Sequence, residues 1–379
     1  FDVHALRATK PPPYRPFKWN KYPITMGIRN VEPSDWFTLD NQYDSVLALR
    51  TKRTLDPTYQ STATRPGFHA HALEALCEIA SFLSVRFPNL FKVTRTAYVA
   101  DKSETHGDSI VGKEDGAVVA VHNLITGERF NFKEIERRMG PEWNPMAVAG
   151  MLVPDDLAVM VDDGTGNYRL QAGSICTAGT WRLRDKVGKT LDEIHFEGRV
   201  PFYAEKLQKS LNRFHQNLKE SALIERNNFT FQIGPGLDWV THVFGDENDF
   251  KHGVAPKGGS WHERDESEKA KAPRDVSEIA FRTERQSLRR LPKTRCILFT
   301  IRSYMYPILD LADEPGVPGR MASAVRSWPQ GPGGVSEFKG EALWGHVLLP
   351  FLDKKHAEQV RKGEIVLDER GEMEERYPW

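Results

Sequence analysis

Residues Ile279 to Tyr304 read IAFRTERQSLRRLPKTRCILFTIRSY, and the way this stretch lies in a sheet decides the fold. Two strand-like runs, Ile279–Leu291 and Cys296–Tyr304, flank Leu-Pro-Lys-Thr-Arg, which has the length and composition of a hairpin connection. The second run alternates: Ile297, Phe299 and Ile301 share one face, and Thr300, Arg302 and Tyr304 the other. The first run has no plain apolar face in its middle. Arg282, Glu284 and Gln286 have one parity and Thr283, Arg285 and Ser287 the other. Such a strand lies at an edge or lines a polar pocket. Pairing that is symmetric about Lys293 would set Glu284 opposite Arg302 and Arg282 opposite Tyr304, and a slip of one residue would reverse that parity.

Working outward, Leu157–Asp162 and Tyr168–Thr177 read as a second hairpin, closed by a turn whose Asp, Gly and Asn content serves turn geometry better than Ca²⁺ binding. Short helical segments follow at Trp181–Val187 and Leu191–His195. A longer helix is expected from Pro201 to about Ser221, with Leu207, Leu211, Phe214 and Leu218 as its apolar stripe. Phe229–Ile233 and Trp239–Phe244 are short strand candidates, and 250–277 reads as a polar insertion. A hairpin, a helical crossing and a returning meander make an α+β fold, in the order of a PAS-like antiparallel sheet with a helical pocket wall. Before this core come an extended aromatic arm over 1–23, a helix capped by Ser34 or Asp35, a helix within Gly67–Leu90, a polar loop over 101–117 and a short helix at Phe132–Met139. After the core, Met321–Arg326 and Leu343–Leu349 read as helical and Lys354–Trp379 as a charged tail. The expected division is a helical extension over 1–150, the core over 151–310, and a helical extension with its tail over 311–379.

The chain has 379 residues, with 52 Lys plus Arg balanced by 52 Asp plus Glu. That balance speaks against a general nucleic-acid footprint. The three cysteines, Cys77, Cys176 and Cys296, lie far apart without a Cys-x-x-Cys pair, which excludes an iron–sulfur or zinc-ribbon framework and fits a reducing, cytoplasmic compartment. No apolar run reaches membrane-spanning length, so no membrane contact is expected of this chain. Because the chain opens on Phe1, an anchor or signal ahead of it is compatible with the sequence. Gly-x-Ser-x-Gly, Walker and Gly-x-Gly-x-x-Gly elements are all missing.

His195 stands out among 12 histidines, because it ends a short apolar turn just before Gly198 and Pro201. A neutral imidazole there either bonds a loop carbonyl or ligates haem iron with the opposite face left open. His69 and His71 are poorly spaced for chelation on a helix, and His215 reads as a boundary residue. Arg282, Glu284, Arg285 and Gln286 offer donors for bound oxygen and an acceptor for a cationic amine, or else form surface pairs.

Several segments together resemble the haem-dependent oxidative N-demethylase α-subunit family, known in fungi as HRQ family proteins. They are Met26-Gly-Ile-Arg29 with Asp35-Trp36 and Asp40-x-x-Tyr43; Tyr168-Arg-Leu-x-Ala-Gly173 leading to Trp181; Lys186-x-Gly188 with Ile194-His195; Arg282-x-Glu-Arg-Gln-x-Leu-Arg-Arg-Leu-Pro292; and Phe299-Thr-Ile-Arg-x-Tyr304. The resemblance spans most of 24–306. It implies a PAS-like domain that binds haem b and activates O₂, or peroxide, to oxidise a small amine. It places His195 as the iron ligand, Arg282, Glu284, Arg285 and Gln286 in the distal pocket, and Arg302 and Tyr304 beside the cofactor. Strand alternation allows either the 282/284/286 set or the 283/285 set to face that pocket. The bacterial members tend to follow the Ile-His pair with a Pro-Val-Pro-Gly-like turn, where this chain has Phe196-Glu-Gly-Arg-Val-Pro201, so dimethylamine is not a secure substrate. Those members work with flavin-, iron–sulfur- and folate-bearing partners, for which this chain has no motif, so electrons would come from a separate reductase or from peroxide. The alternative is a PAS-type haem sensor without turnover.

Overall fold

The computed structural model describes residues 1–372 except 20, 21, 23, 97–115, 180 and 238–271. Its centre is a seven-stranded antiparallel sheet, giving the α+β class expected. In chain order the strands of the molecule are β1 (Arg29–Asn30), β2 (Thr62–Thr64), β3 (Phe91–Arg95), β4 (Val118–Asn123), β5 (Arg129–Asn131), β6 (Asp156–Asp162), β7 (Tyr168–Ser174), β8 (Leu223–Ile233), β9 (Ile279–Arg290) and β10 (Ile297–Pro307). The large sheet runs β1-β8-β9-β10-β6-β7-β2, and β3-β4-β5 form a small second sheet beside helix His69–Arg86.

The hairpin quoted above is the β9–β10 pair, and it occupies the middle of the sheet, not an edge. Its register is slipped by one residue from symmetry about Lys293: Arg302 pairs with Arg285, Glu284 with Ser303, and Tyr304 with Thr283. The connection explains the slip. Arg295 adopts a left-handed backbone (φ 64°), and the Glu74 carboxylate accepts from the Lys293 and Thr294 backbone N–H groups at 2.6 and 2.8 Å. A carboxylate from another helix therefore sets the turn, which local sequence does not reveal.

Both faces of β9 are covered. On one face, Leu288, Ile224, Ile297 and Met160 pack against Leu191, Ile194, Phe214 and Leu218 from the segment 183–218. On the other, Leu157, Val159 and Leu298 join the core of helices Tyr43–Leu55 and His69–Arg86, while Phe229, Phe231, Ile279 and Phe281 meet Trp328, Trp344 and Leu348 from the C-terminal helices. Strand β9 is buried through most of its length and still carries five arginine or glutamate side chains.

Several expectations change. The first long helix starts at Tyr43; at the expected cap, Ser34 or Asp35, there is a single 3₁₀ turn, Pro33–Asp35, and Trp36 and Phe37 are buried in an irregular segment. The aromatic arm begins with a helix, Val3–Ala8, capped by Asp2. Strand β8 begins at Leu223, six residues earlier than expected from Phe229. The presumed helix from Pro201 is a π-turn over Tyr203–Leu207 continuing into helix Gln208–Asn217. The helix expected near Leu343 runs over Glu341–Arg361, taking in the start of the supposed tail. Trp239–Phe244 and most of 101–117 and 250–277 fall outside the described residues. Among the described residues no helix is long and apolar enough to cross a membrane.

Arg50 and Asp156, both fully buried, are ion-paired; Arg50 also donates to the Gly150 carbonyl at 2.9 Å and to Ser174 Oγ at 3.0 Å. Breaking this pair with Arg50→Met strands a carboxylate and is expected to cost about 3–5 kcal/mol. Equilibrium urea unfolding checks it, and the Arg50→Met/Asp156→Leu double variant should recover part of the loss. Nearby Asp155 is also buried, with Oδ2 unpartnered; burial pushes its pKa up to about 6, against the opposing pull of Arg302, Arg285 and Arg50. The native state thus holds this proton more tightly than the unfolded chain. The resulting contribution is full below about pH 4 and lost as pH rises through about 6. Asp155→Asn should remove that slope, read as the difference in unfolding free energy between the two proteins from pH 4 to 7.

Candidate functional site

The parity of β9 sorts the predicted site residues into two groups. Arg282, Glu284 and Gln286 share the face with Leu288, toward the helices of 183–218. Arg285, Arg302 and Tyr304 lie on the opposite face and hold the N-terminal segment. Arg285 donates to the carbonyls of Asp35 and Trp36 and pairs with Glu225. Arg302 bonds both oxygens of Asp40 at 3.1 and 3.3 Å, with both residues 1% exposed. The Tyr304 hydroxyl meets Thr38 Oγ1 at 3.2 Å. Arg289, on that same face, pairs with Glu78 and covers the Trp36 ring at 4.6 Å.

On the helix-facing side a polar wall forms. Arg282 donates to Gln232 Oε1 (3.1 Å), Ser303 Oγ (3.2 Å) and the Thr177 carbonyl, while its Nε has no partner. Glu284 accepts from Gln286 Nε2 at 2.9 Å and Asn228 Nδ2 at 3.4 Å. Asn228 in turn accepts from Lys339 Nζ at 3.3 Å. Lys339 also donates to the Phe229 carbonyl and lies over the Phe229 and Trp328 rings at 4.6 and 5.5 Å. Burial pushes its pKa down to about 8.

The helices opposite carry two histidines in matching settings. His195 lies in helix Leu191–Glu197, whose start is fixed by a capping box between Thr190 and Glu193. Its Nδ1 is 2.7 Å from the Leu191 carbonyl, and its ring stacks on Tyr203 at 4.5 Å and 10°. A carbonyl only accepts, so Nδ1 carries the proton and Nε2 keeps its lone pair. Burial lowers the His195 pKa and favours that neutral form. His215, more deeply buried, repeats the arrangement with the Leu211 carbonyl at 2.8 Å; burial pushes its pKa down to about 4.

Asp192 ties these helices together. Its carboxylate accepts from Tyr203 Oη at 2.6 Å, Gln208 Nε2 at 2.8 Å and Asn212 Nδ2 at 3.1 Å. Between the two helices the chain passes through Arg199 and Phe202, both with left-handed backbone (φ 49° and 57°), and then the π-turn. Two non-glycine residues in that region store about 1–3 kcal/mol of strain each, and such strain concentrates where a chain must hold a functional shape.

Sequence reasoning missed Arg226, Asn228 and Lys339. The first two lie on β8 ahead of the expected start at Phe229, and Arg226, Asn228 and Thr230 share one parity as a polar row. Lys339 arrives from the C-terminal extension and has no local signal. Among the described residues no cluster of three His, Cys, Asp or Glu side chains could hold a metal ion. Porphyrin iron needs only one protein ligand, and the lone pairs on His195 and His215 have the right chemistry for it.

The sequence model of one protein family, described as haem-dependent oxidative N-demethylase, alpha subunit-like, matches residues 27–349. The chain belongs to that family. The match takes in the N-terminal segment gripped by Arg285 and Arg302, the two-histidine helices, and the extension as far as Lys339. The family's name carries haem dependence and oxidative demethylation, and the polar wall facing neutral imidazoles is compatible with both.

Removing the Asp192 knot should loosen the His195 helix. Asp192→Ala is expected to lower the unfolding free energy by about 1–3 kcal/mol and to speed amide exchange over 191–212. Unchanged exchange there would show that the knot does not hold the helix.

Proposed function

We propose that this protein is a haem-dependent oxidoreductase that oxidises a small substrate, in the simplest case an amine, at a carbon next to nitrogen, using haem b held in a PAS-like core. Family membership supports haem dependence. The PAS-like reading is supported by the order of the sheet. A hairpin (β6–β7), a helical crossing and a meander (β8–β9–β10) follow in turn, and the last meander strand pairs with the first hairpin strand.

The observation that carries the reading is the His195 imidazole. Its one proton is committed to the Leu191 carbonyl, its ring is clamped by Tyr203, and it stands in helices packed on a buried face that also bears Arg282, Glu284 and Gln286. We assign His195 as the residue that would hold the iron. When bound, haem supplies the redox chemistry by which O₂ or peroxide is activated.

The chain's own side chains then do the rest. Arg282 and Gln286 offer N–H donors toward a polar oxygen species or the substrate. Glu284, held by two amides, accepts a hydrogen bond from an amine, or takes its proton. Leu288, Ile297 and Met160 keep water from the space between sheet and helices. Arg285, Arg302 and Tyr304 act from the far side as positioning residues, because each is bonded to the N-terminal segment. Electrons come from a separate reductase.

The test is the visible spectrum of the purified protein with haem added, before and after dithionite and CO. The expected result is a Soret band that shifts with CO in the wild type and in His215→Ala, and is lost or altered in His195→Ala. If His195→Ala keeps the wild-type bands and His215→Ala does not, the ligand is His215. No band in any of them would sink both the enzyme and a haem sensor.

A further inference from the structure

Among the described residues, the helix-facing side of the sheet brings together more cationic side chains than carboxylates. Arg226, Arg282, Arg290 and Lys339 lie on or beside it. Three of them are provided for. Arg290 donates to the carbonyls of Leu218 (2.6 Å), Arg295 (2.7 Å) and His215, and to Tyr168 Oη (2.9 Å). Arg282 and Lys339 have the acceptors already given.

Arg226 differs. Its side chain is largely buried and its Nε is sealed from solvent without a partner; among the described residues no hydrogen bond or ion pair reaches its guanidinium. The carboxylate that acts on it is Glu284, whose hydrogen bonds come from the amides of Gln286 and Asn228. Arg226 pairs across the ladder with Gln286, so it stands in the same wall. Its field reaches His195 and His215 on the helices, Tyr14 and Tyr22 of the N-terminal arm, and Lys339. A guanidinium whose Nε is sealed from water and which meets no anion is unfavourably placed, and its two Nη groups keep their donors free for a ligand. A planar fork of donors in such a place matches a carboxylate, which it binds through two parallel hydrogen bonds.

We propose that Arg226 is a carboxylate-binding residue of this polar wall. The inference deepens the proposed function by naming a ligand group, and it does not require haem. Two carboxylates have this chemistry: a propionate of the porphyrin, and the acid group of a free substrate. In the second case Glu284 on the same wall favours a ligand that carries both an acid and an amine, such as an N-methylated amino acid.

The experiment has two arms, each on wild type and Arg226→Gln, with melting temperature and far-UV circular dichroism as folding controls. In the first, haem is titrated into haem-free protein and the Soret band gives the affinity. In the second, acetate, N,N-dimethylglycine and dimethylamine are titrated calorimetrically into haem-free protein. Loss of haem affinity by about tenfold or more in Arg226→Gln assigns the group to a propionate. Unchanged haem affinity, with acetate and dimethylglycine binding weakened by about tenfold or more and dimethylamine unaffected, assigns it to a free carboxylate. Any other pattern overturns the proposal. Should Arg226→Gln fail to fold, Arg226→Lys carries the test, because it keeps the charge and removes the fork; a smaller loss in the same arm is then expected. A wild-type protein that takes up no haem sinks the haem reading alone and leaves the calorimetric arm to decide.

Discussion

The Arg50–Asp156 pair joins the N-terminal helix to the centre of the sheet, and the geometry around the candidate site follows from it. Asp156 accepts from Arg50 and also from the backbone N–H groups of Cys176 (2.6 Å) and Thr177 (3.1 Å). The Thr177 carbonyl then receives the Arg282 guanidinium. One buried carboxylate thus fixes a helix, a hairpin end and the turn that holds Arg282. Pairs of this kind seldom stabilise a protein more than apolar packing would; what they supply here is a single register, because moving any one partner leaves a charge stranded.

The same logic repeats along the far face of β9 and β10. Arg285, Arg289 and Arg302 each meet a carboxylate from a different element, Glu225, Glu78 and Asp40. The Arg302–Asp40 pair, with Arg285 on the Asp35 and Trp36 carbonyls, clamps the segment 29–55 onto the sheet alongside the packing of Trp36, Phe37 and Tyr43. On the side toward the histidine-bearing helices, neutral amides satisfy Glu284, and among the described residues no anion hydrogen-bonds to Arg226. One face of the strand is closed to further partners, and the other is open to them.

Strain marks the open side. The positive-φ residues Arg199 and Phe202 and the π-turn after them lie between His195 and His215, with Asp192 bonded to both helices across the gap. A chain free to relax would place glycine at these positions. Holding them with bulky residues pins the spacing of the two imidazoles, and Tyr203, which follows the strained turn, is the residue stacked on His195.

Local patterns in the sequence determined much of this protein. Alternation and turn composition located both hairpins, helix Phe132–Met139 appeared at its expected ends, and the charged middle of β9 left an edge and a polar lining as alternatives, of which the sheet order excludes the edge. The motifs were enough to place the chain in its family. Tertiary structure alone decided which charges belong together. The hairpin register was set by Glu74, a carboxylate more than 200 residues away in the chain. That register separated Arg282, Glu284 and Gln286 from Arg285, Arg302 and Tyr304. Lys339 joined the wall from a segment with no local signature, and Arg226 from a strand whose alternation gives its face but not its neighbours. Period-two alternation tells which residues share a face but not what lies across it, and a buried charge acquires its meaning only from the partner that folding brings, or fails to bring, within reach.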